Sequence, residues 1–268
     1  MAYETIRSVA TSAALQAGER LLSKLDRIDR IDKKGAIDLV TDADIASEKC
    51  IIEAIRRVFP NDTILSEESG AIPGSSEGRW IVDPLDGTTN FAHGVGLFAV
   101  SIAYAIGGDV LVGIVLNPVT REFFSAVKGQ GAQLNGRAIH VSKTPAVADS
   151  LLVTGFPYNF KTILNSVIRR FSNCLEASQG VRRLGSAAVD LCYVACGRFE
   201  AFWEENLQPW DTAAGMLIVQ EAGGKVSTFD GSAYDFFGAK EILASNGLIH
   251  NEMATLLRLK ENDEVSGG

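Results

Sequence analysis

Apolar residues return every three to four positions at the start of the chain. Val9, Ala13, Ala17, Leu21 and Leu25 fall on one helical face and Leu15 and Leu22 widen it, so the spacing predicts a helix over 4–25. A polar hinge, Lys33-Lys34-Gly35, follows. A second helix is expected over 41–59, with Ile51, Ile55, Val58 and Phe59 on its apolar face and Pro60-Asn61-Asp62 stopping it. Then the period shortens. Runs at 63–65, 79–82, 98–106, 110–116 and 122–127 read as strands, punctuated by Gly and Pro. Gly107-Gly108-Asp109 reads as a hairpin turn, and Gly129, Gly131 and Asn135-Gly136 as further turns. The second half alternates. Strands are expected at 150–154, 199–203, 225–228 and 242–244, and helices at about 161–176, 186–196, 211–222 and 249–260. Mixed runs of both kinds place the chain in the α/β or α+β class with layered sheets. The acidic end, 261–268, is expected to be a frayed tail.

Composition narrows the functions. The 268 residues suffice for one large domain or two small ones sharing a core. Lys and Arg number 25 against 33 Asp and Glu, and the net −8 argues against nucleic-acid binding, which needs a basic surface. An anionic substrate stays compatible with this charge if metal ions reverse its sign locally. Cys50, Cys174, Cys192 and Cys196 form no C-x-x-C pair and are expected to be small buried residues in a reducing compartment. No basic stretch precedes an apolar run near the start, and no run approaches the roughly 18 apolar residues of a membrane span. A cytoplasmic protein without membrane contact is the expectation.

The strongest chemical signal is the segment from Trp80 to Asn90. An apolar strand ends at Asp83, and Pro84 and Gly87 bend the chain so that Asp86 can swing back beside it. Two carboxylates at one strand end repel unless a cation or proton lies between them. A hard divalent ion would satisfy them, with the Leu85 carbonyl as a further oxygen ligand. Turn hydrogen bonds to nearby amides account for the same two residues equally well. Glu67 and Glu68 end the preceding strand, where one could face the same edge. Asp211 opens an apolar helix and has an ordinary role there as a first-turn acid. Thr41-x-x-Asp44 fits a capping box. Gly185-Ser186-Ala187-Ala188 opens another helix, where small residues leave N–H groups open to an anion or simply pack closely. The spacing Cys192-x5-Arg198 falls in an apolar helical run and is not a phosphatase loop. His93, His140 and His250 fit no metal or triad spacing.

Three motifs in order resemble the inositol monophosphatase family: Glu67-Glu68-Ser69, then Asp83-Pro84-Leu85-Asp86-Gly87-Thr88-Thr89-Asn90, then Trp210-Asp211-x-Ala213-Ala214-Gly215. The resemblance spans about residues 4–260. It implies an αβαβα layered sandwich, a homodimer, and Mg²⁺-dependent hydrolysis of phosphomonoesters, with Mn²⁺ able to substitute and Li⁺ inhibiting. It implies a single catalytic unit with a metal-binding half over about 1–145 and a substrate-completing half over about 146–260. By position, Glu67, Asp83 and the Leu85 carbonyl match the ligands of a first metal, and Asp83, Asp86 and Asp211 those of a second. A third, weaker ion is implied near Glu67. Asp44 and Thr88 match the pair that orients and deprotonates the attacking water. Gly87 and Thr88 match phosphate-binding amides, while Gly185, Ser186, Ala187, Glu204 and Asp211 match positions that meet the substrate. Ser186 stands where animal members often carry Thr, and the stretch from Glu204 to Pro209 resembles bacterial members.

The substrate this implies is a small phosphorylated polyol, myo-inositol monophosphate first. Histidinol phosphate, fructose bisphosphate and adenosine 3′,5′-bisphosphate are the alternatives within the fold. A protein that only docks a macromolecular partner is the reading from another class, and the intact acids Glu67, Asp83, Asp86 and Asp211 argue against it.

Overall fold

The structure is a computed structural model that describes residues 2–25, 31–33, 39–157 and 159–259. Most of the Lys33-Lys34-Gly35 hinge and the tail at 261–268 lie outside the described residues. Helices α1 (Ala2–Lys24) and α2 (Asp42–Val58) flank a short antiparallel pair, β1 (Ile31–Lys33) and β2 (Leu39–Thr41). The first large sheet holds β3 (Thr63–Ser66), β4 (Gly70–Ile72), β5 (Gly78–Asp86), β6 (Ala99–Ile106), β7 (Asp109–Asn117), β8 (Glu122–Val127), β9 (Ala132–Leu134) and β10 (Arg137–Ile139). Their spatial order is β10-β9-β8-β7-β6-β5-β3-β4, with the short helix α3 (Thr88–Ala92) leaving the end of β5. The second sheet holds β11 (Leu151–Thr154), β12 (Gly180–Arg182), β13 (Ala201–Glu205), β14 (Lys225–Ser227) and β15 (Glu241–Ser245), in the order β12-β11-β13-β15-β14. Helices α4 (Leu164–Ala177), α5 (Ala187–Ala195), α6 (Pro209–Glu221) and α7 (His250–Leu257) complete the chain.

Side-chain alternation along each strand sorts these elements into layers. On β5, Trp80 and Val82 join Ala13, Ala17, Leu21, Ile51 and Ile55 of α1 and α2 in one core. Ile81, on the other face, joins Leu191 of α5 and Ala214 and Ile218 of α6, which also meet Val153 and Phe202 of the second sheet. Leu152, Trp203 and Leu243 point outward from that sheet to Cys174 of α4 and Met253 and Leu257 of α7. The order is therefore helices, sheet, helices, sheet, helices: the αβαβα sandwich. Helices α5 and α6 lie between two sheets, so most of their residues are buried, Asp190 included, and neither shows a single apolar stripe. Their packing is tight. A Cβ at Gly113 would fall 2.8 Å from the Ala214 carbonyl oxygen, and one at Gly215 would fall 2.6 Å from Leu191 Cδ1.

Several expectations need correction. Leu15 and Leu22 do not widen the buried face of α1; both are exposed, and the stripe is Ile6, Ala10, Ala13, Ala14, Ala17 and Leu21. Val58 likewise points to solvent. Cys174 and Cys192 are buried as expected, but Cys50 and Cys196 are only half-buried. Strands β4, β9, β10 and β12 carry three residues each, too few to show a period in sequence. The expected strand at 199–203 is shifted to Ala201–Glu205, which places Glu204 inside the sheet, paired with Ile242.

Candidate active site

The register of β5 against β6 explains how two aspartates come to share one face. Asp83 lies opposite Ser101 and Asp86 opposite Ala99, so three steps along β5 match two along β6. That extra residue is a β-bulge at Pro84-Leu85, where proline has no N–H for the ladder. In an unbroken strand Asp86 would share the face of Trp80 and Val82. With the bulge, Leu85 takes that face and is buried against α1 and α2, while Asp86 turns with Asp83 toward the middle layer. Leu85 N–H donates to Asp83 Oδ1 at 2.9 Å, fixing that carboxylate. Gly87 then reverses the chain at φ +92, where a Cβ would fall 3.1 Å from the carbonyl oxygens of Gly185 and Leu97.

Neighbouring elements deliver the other acids. Strand β3 runs parallel to β5 with Ser66 opposite Val82, so Glu67 emerges beside Asp83, its N–H bonded to the Val82 carbonyl at 3.2 Å. Glu48 of α2 holds the following loop: Oε1 accepts from Ser69 N–H at 2.9 Å, and Oε2 accepts from the Ser69 hydroxyl at 2.5 Å. In the first turn of α6, Asp211 Oδ2 accepts from Gln208 N–H at 2.7 Å. The first-turn role read from sequence is therefore real. It does not exhaust the residue, since one carboxylate oxygen from each of Asp83, Asp86 and Asp211 lies within 4.8 Å of the others.

Helix α5 opens on Ser186, whose hydroxyl donates to Asp86 Oδ2 at 2.5 Å and accepts from Val189 N–H at 3.3 Å. Ala188 N–H donates to the same Asp86 oxygen at 2.7 Å. The anion seated on Ala188 is thus Asp86 itself, which corrects the expectation that this N–H stands open. Asp44 is not simply a capping residue either. It is fully buried, and its Oδ1 lies 3.1 Å from Thr88 Oγ1, which is also 3.0 Å from the Leu85 carbonyl oxygen.

Burial sets the electrostatics. Burial pushes Asp83 well above the usual carboxylate range, and the negative charges of Glu67, Asp86 and Asp211 add to it. Asp211 is raised in the same way by burial and then by Asp86. Burial pushes Asp86 up to about 6 against the lowering effect of the Ser186 and Ala188 hydrogen bonds. A set of oxygen donors without His or Cys, Asp83 and Asp86 buried and Asp211 half-buried, fits a hard divalent cation.

One cavity of about 520 Å³ takes in this acid cluster together with Glu67, Leu85, Gly87 and Thr88, and reaches Gly185, Ser186, Ala187 and Glu204. Asp44 stands behind the wall, against Thr88. Glu204 is 7% exposed and burial pushes it up to about 8, with Arg183 opposing. It is no solvated acid following a strand. A Cβ on Gly155 would overlap its carboxylate, so the glycine makes its place. Sequence reasoning missed Glu48, Arg183 and Asn90 as parts of this arrangement. The Asn90 amide ties the β5 turn to the start of α5, donating to the carbonyls of Leu97 at 2.6 Å and Leu184 at 2.8 Å. The Asn after Asp-Gly-Thr-Thr was the only signal for it.

Residues 2–262 match the inositol monophosphatase family. A Synechocystis protein named inositol-1-monophosphatase is 46% identical over 257 residues, covering 95% of this chain and 89% of that one. A Pseudomonas aeruginosa protein named Nus factor SuhB is 44% identical over 258 residues, covering 94% and 95%. The solved inositol monophosphatase from Anabaena superposes with a TM-score of 0.88 at 42% identity, covering 96% of each chain. A sandwich of this topology, carrying its acids at the bulged end of β5, belongs with them: the chain is a member of the inositol monophosphatase family of phosphatases.

Proposed function

We propose that the protein hydrolyses small polyol phosphates, myo-inositol monophosphate first, with Mg²⁺ as its natural ion and Mn²⁺ as a substitute. The observation that carries this reading is one cavity with three clustered aspartates at one side and, at the other, buried Glu204, whose side chain makes no hydrogen bond or ion pair among the described residues. The relatives named for inositol monophosphate support the choice of polyol. Glu67, Asp83, the Leu85 carbonyl, Asp86 and Asp211 would hold the metal. When bound there, divalent ions supply the positive charge that admits a phosphate dianion to an acidic protein and makes water a better nucleophile.

The chain's own groups divide the remaining work. Thr88 Oγ1 takes the proton of the attacking water as it passes its own to Asp44 Oδ1, 3.1 Å away. Backbone amides of Gly87 and Thr88 meet the phosphate oxygens. Gly185, Ser186 and Ala187 form the wall against the leaving group, and Glu204 accepts a hydrogen bond from one of its hydroxyls. No side chain is asked to form a phosphoenzyme. The test is phosphate release from inositol 1-phosphate, histidinol phosphate, fructose bisphosphate and adenosine 3′,5′-bisphosphate, with Mg²⁺ and with excess chelator. Fastest release from inositol phosphate, abolished by chelation, is expected; full activity in chelator sinks the metal assignment.

Relatives named Nus factor SuhB supply a second reading, an assembly role. It is independent of the first, and the buried acid cluster is a feature that docking alone does not require.

A further inference from the structure

Two buried acids and one solvent-facing guanidinium around the Glu204 side of the cavity make no side-chain hydrogen bond or ion pair among the described residues. Glu204 makes no hydrogen bond or ion pair among the described residues, although it is buried in β13. Arg183, on the same cavity wall, stacks over Phe156 at 5.7 Å from the ring centroid and likewise makes neither among the described residues. Behind the wall, Asp190 of α5 is fully buried, and neither of its carboxylate oxygens has a hydrogen-bond partner among the described residues. The charges acting on it are Glu204, Asp86 and Arg183. Two glycines keep this arrangement open. A Cβ at Gly155 would overlap the Glu204 carboxylate, and one at Gly185, φ +91, would fall 2.5 Å from Arg183 Nη1. Buried polar groups normally find partners within the protein. Here a buried Glu204 acceptor and a solvent-facing Arg183 donor border one space, and a glycine lies against each.

We propose that Arg183 and Glu204 together read a vicinal diol on the leaving group of the substrate. One hydroxyl donates to the Glu204 carboxylate while the oxygen of its neighbour accepts from the Arg183 guanidinium. The proposal rests on the polyol-phosphatase reading and adds Arg183 to it as a specificity residue. A hydroxyl is both donor and acceptor, so adjacent hydroxyls satisfy an acid and a guanidinium at once. An isolated hydroxyl or an ammonium group would satisfy Glu204 and leave Arg183 unpaired. A second phosphate would satisfy Arg183 but would bring the Glu204 carboxyl an anion where a hydroxyl donor is wanted, with Asp190 buried behind it. Lys240 also lines the cavity, yet the charges acting on Glu204 are Arg183, Asp86 and Glu205. The recognition chemistry therefore selects a neutral, hydroxyl-rich alcohol over a bisphosphate.

Arg183 is otherwise open to solvent, so its replacement leaves the core intact. The quantity to follow in the full chain with Mg²⁺ is kcat/KM for inositol 1-phosphate divided by kcat/KM for cyclohexyl phosphate, which has the ring without the hydroxyls. Arg183→Met lowers this ratio about tenfold, chiefly through KM for inositol phosphate, as loss of a charge-assisted hydrogen bond at a partly exposed site should. Arg183→Lys recovers part of it, keeping the charge but not the planar fork. A high native ratio that survives Arg183→Met overturns this proposal and leaves the polyol reading standing. A loss confined to fructose 1,6-bisphosphate overturns it in favour of a second-anion reader. A native ratio near one overturns the polyol reading and this extension with it.

Discussion

The two sides of the cavity are built on opposite plans. On the Asp83 side the protein occupies its own acids: Asp86 is bonded to Ser186 and Ala188, Asp211 to Gln208, and Asp83 to Leu85. Each carboxylate is aimed by a backbone or hydroxyl donor before anything binds. On the Glu204 side, the carboxyl and the Arg183 guanidinium border open space and make no hydrogen bond or ion pair among the described residues. Preorganised groups act on charge that develops during reaction and suit steps common to every substrate. A buried carboxyl such as Glu204 imposes a desolvation cost that only a matching ligand relieves, and a solvent-facing guanidinium beside it adds a directional donor, which suits discrimination.

Substitutions can break this contrast, beginning on the prearranged side. Asp83→Asn is expected to lower kcat by more than about 10³-fold, beyond the loss of one transition-state hydrogen bond. Phosphate release measures it, with circular dichroism checking the fold; near-native turnover would remove Asp83 from the chemistry. Thr88→Ala removes the hydroxyl between Asp44 and the attacking water and should cost about 10²–10⁴-fold in kcat. The factor should be the same for inositol, cyclohexyl and aryl phosphates, and a substrate-dependent factor would make Thr88 a recognition residue instead.

On the open side the effects are smaller and selective. Glu204→Gln should lower the inositol-to-cyclohexyl ratio of kcat/KM by about tenfold. Gly155→Ala sharpens the point, because its methyl group must displace the Glu204 carboxylate without changing any charge. It should move the same ratio in the same direction by a smaller factor. Equal losses on both substrates in either variant would erase the distinction between the two sides.

The last expectation concerns the second sheet rather than the cavity. His250 Nε2 and Nδ1 lie 2.8 Å from Ser227 Oγ and Ser245 Oγ. Ser227 donates its proton to the Thr228 carbonyl, so Ser227 accepts from Nε2–H and the Ser245 hydroxyl donates to Nδ1. The ring is held neutral, and burial, helped by Lys225, pushes its pKa down to about 4. A folded value below the unfolded one means stability is fully present above about pH 6.5 and lost as pH falls toward 4, by at most about 3 kcal/mol. Urea midpoints between pH 7 and 4.5 measure it. His250→Asn should flatten this slope; an unchanged slope would assign the acid sensitivity to carboxylates elsewhere.

The prearranged side was largely legible in the sequence. Pro84 and Gly87 announce a bend, and the acids around it are spaced so that only a turn brings them together. The open side was legible only in part. Glu204 appeared to follow its strand because the apolar run stops at Trp203, whereas pairing with β15 carries the strand on to Glu205. Arg183 and Glu48 gave no signal, since a charged residue in a loop or on an amphipathic helix is ordinarily solvated. Helices α5 and α6 show no amphipathic stripe because two sheets cover them, a tertiary fact that local periodicity does not encode.

The close contact between Gly113 and the backbone of Ala214 has a further consequence. Helix α6 is clamped between β7 and α5, and it carries Asp211 in its first turn. A methyl group at position 113 or 215 would act as a shim, lifting the helix and tilting its first turn away from Asp83 and Asp86. Defects in this layer would therefore surface as lost alignment of three carboxylates before they surface as unfolding. A screen for thermostability alone would pass variants that a screen for turnover rejects, and the two disagreeing lists would trace the course of α6.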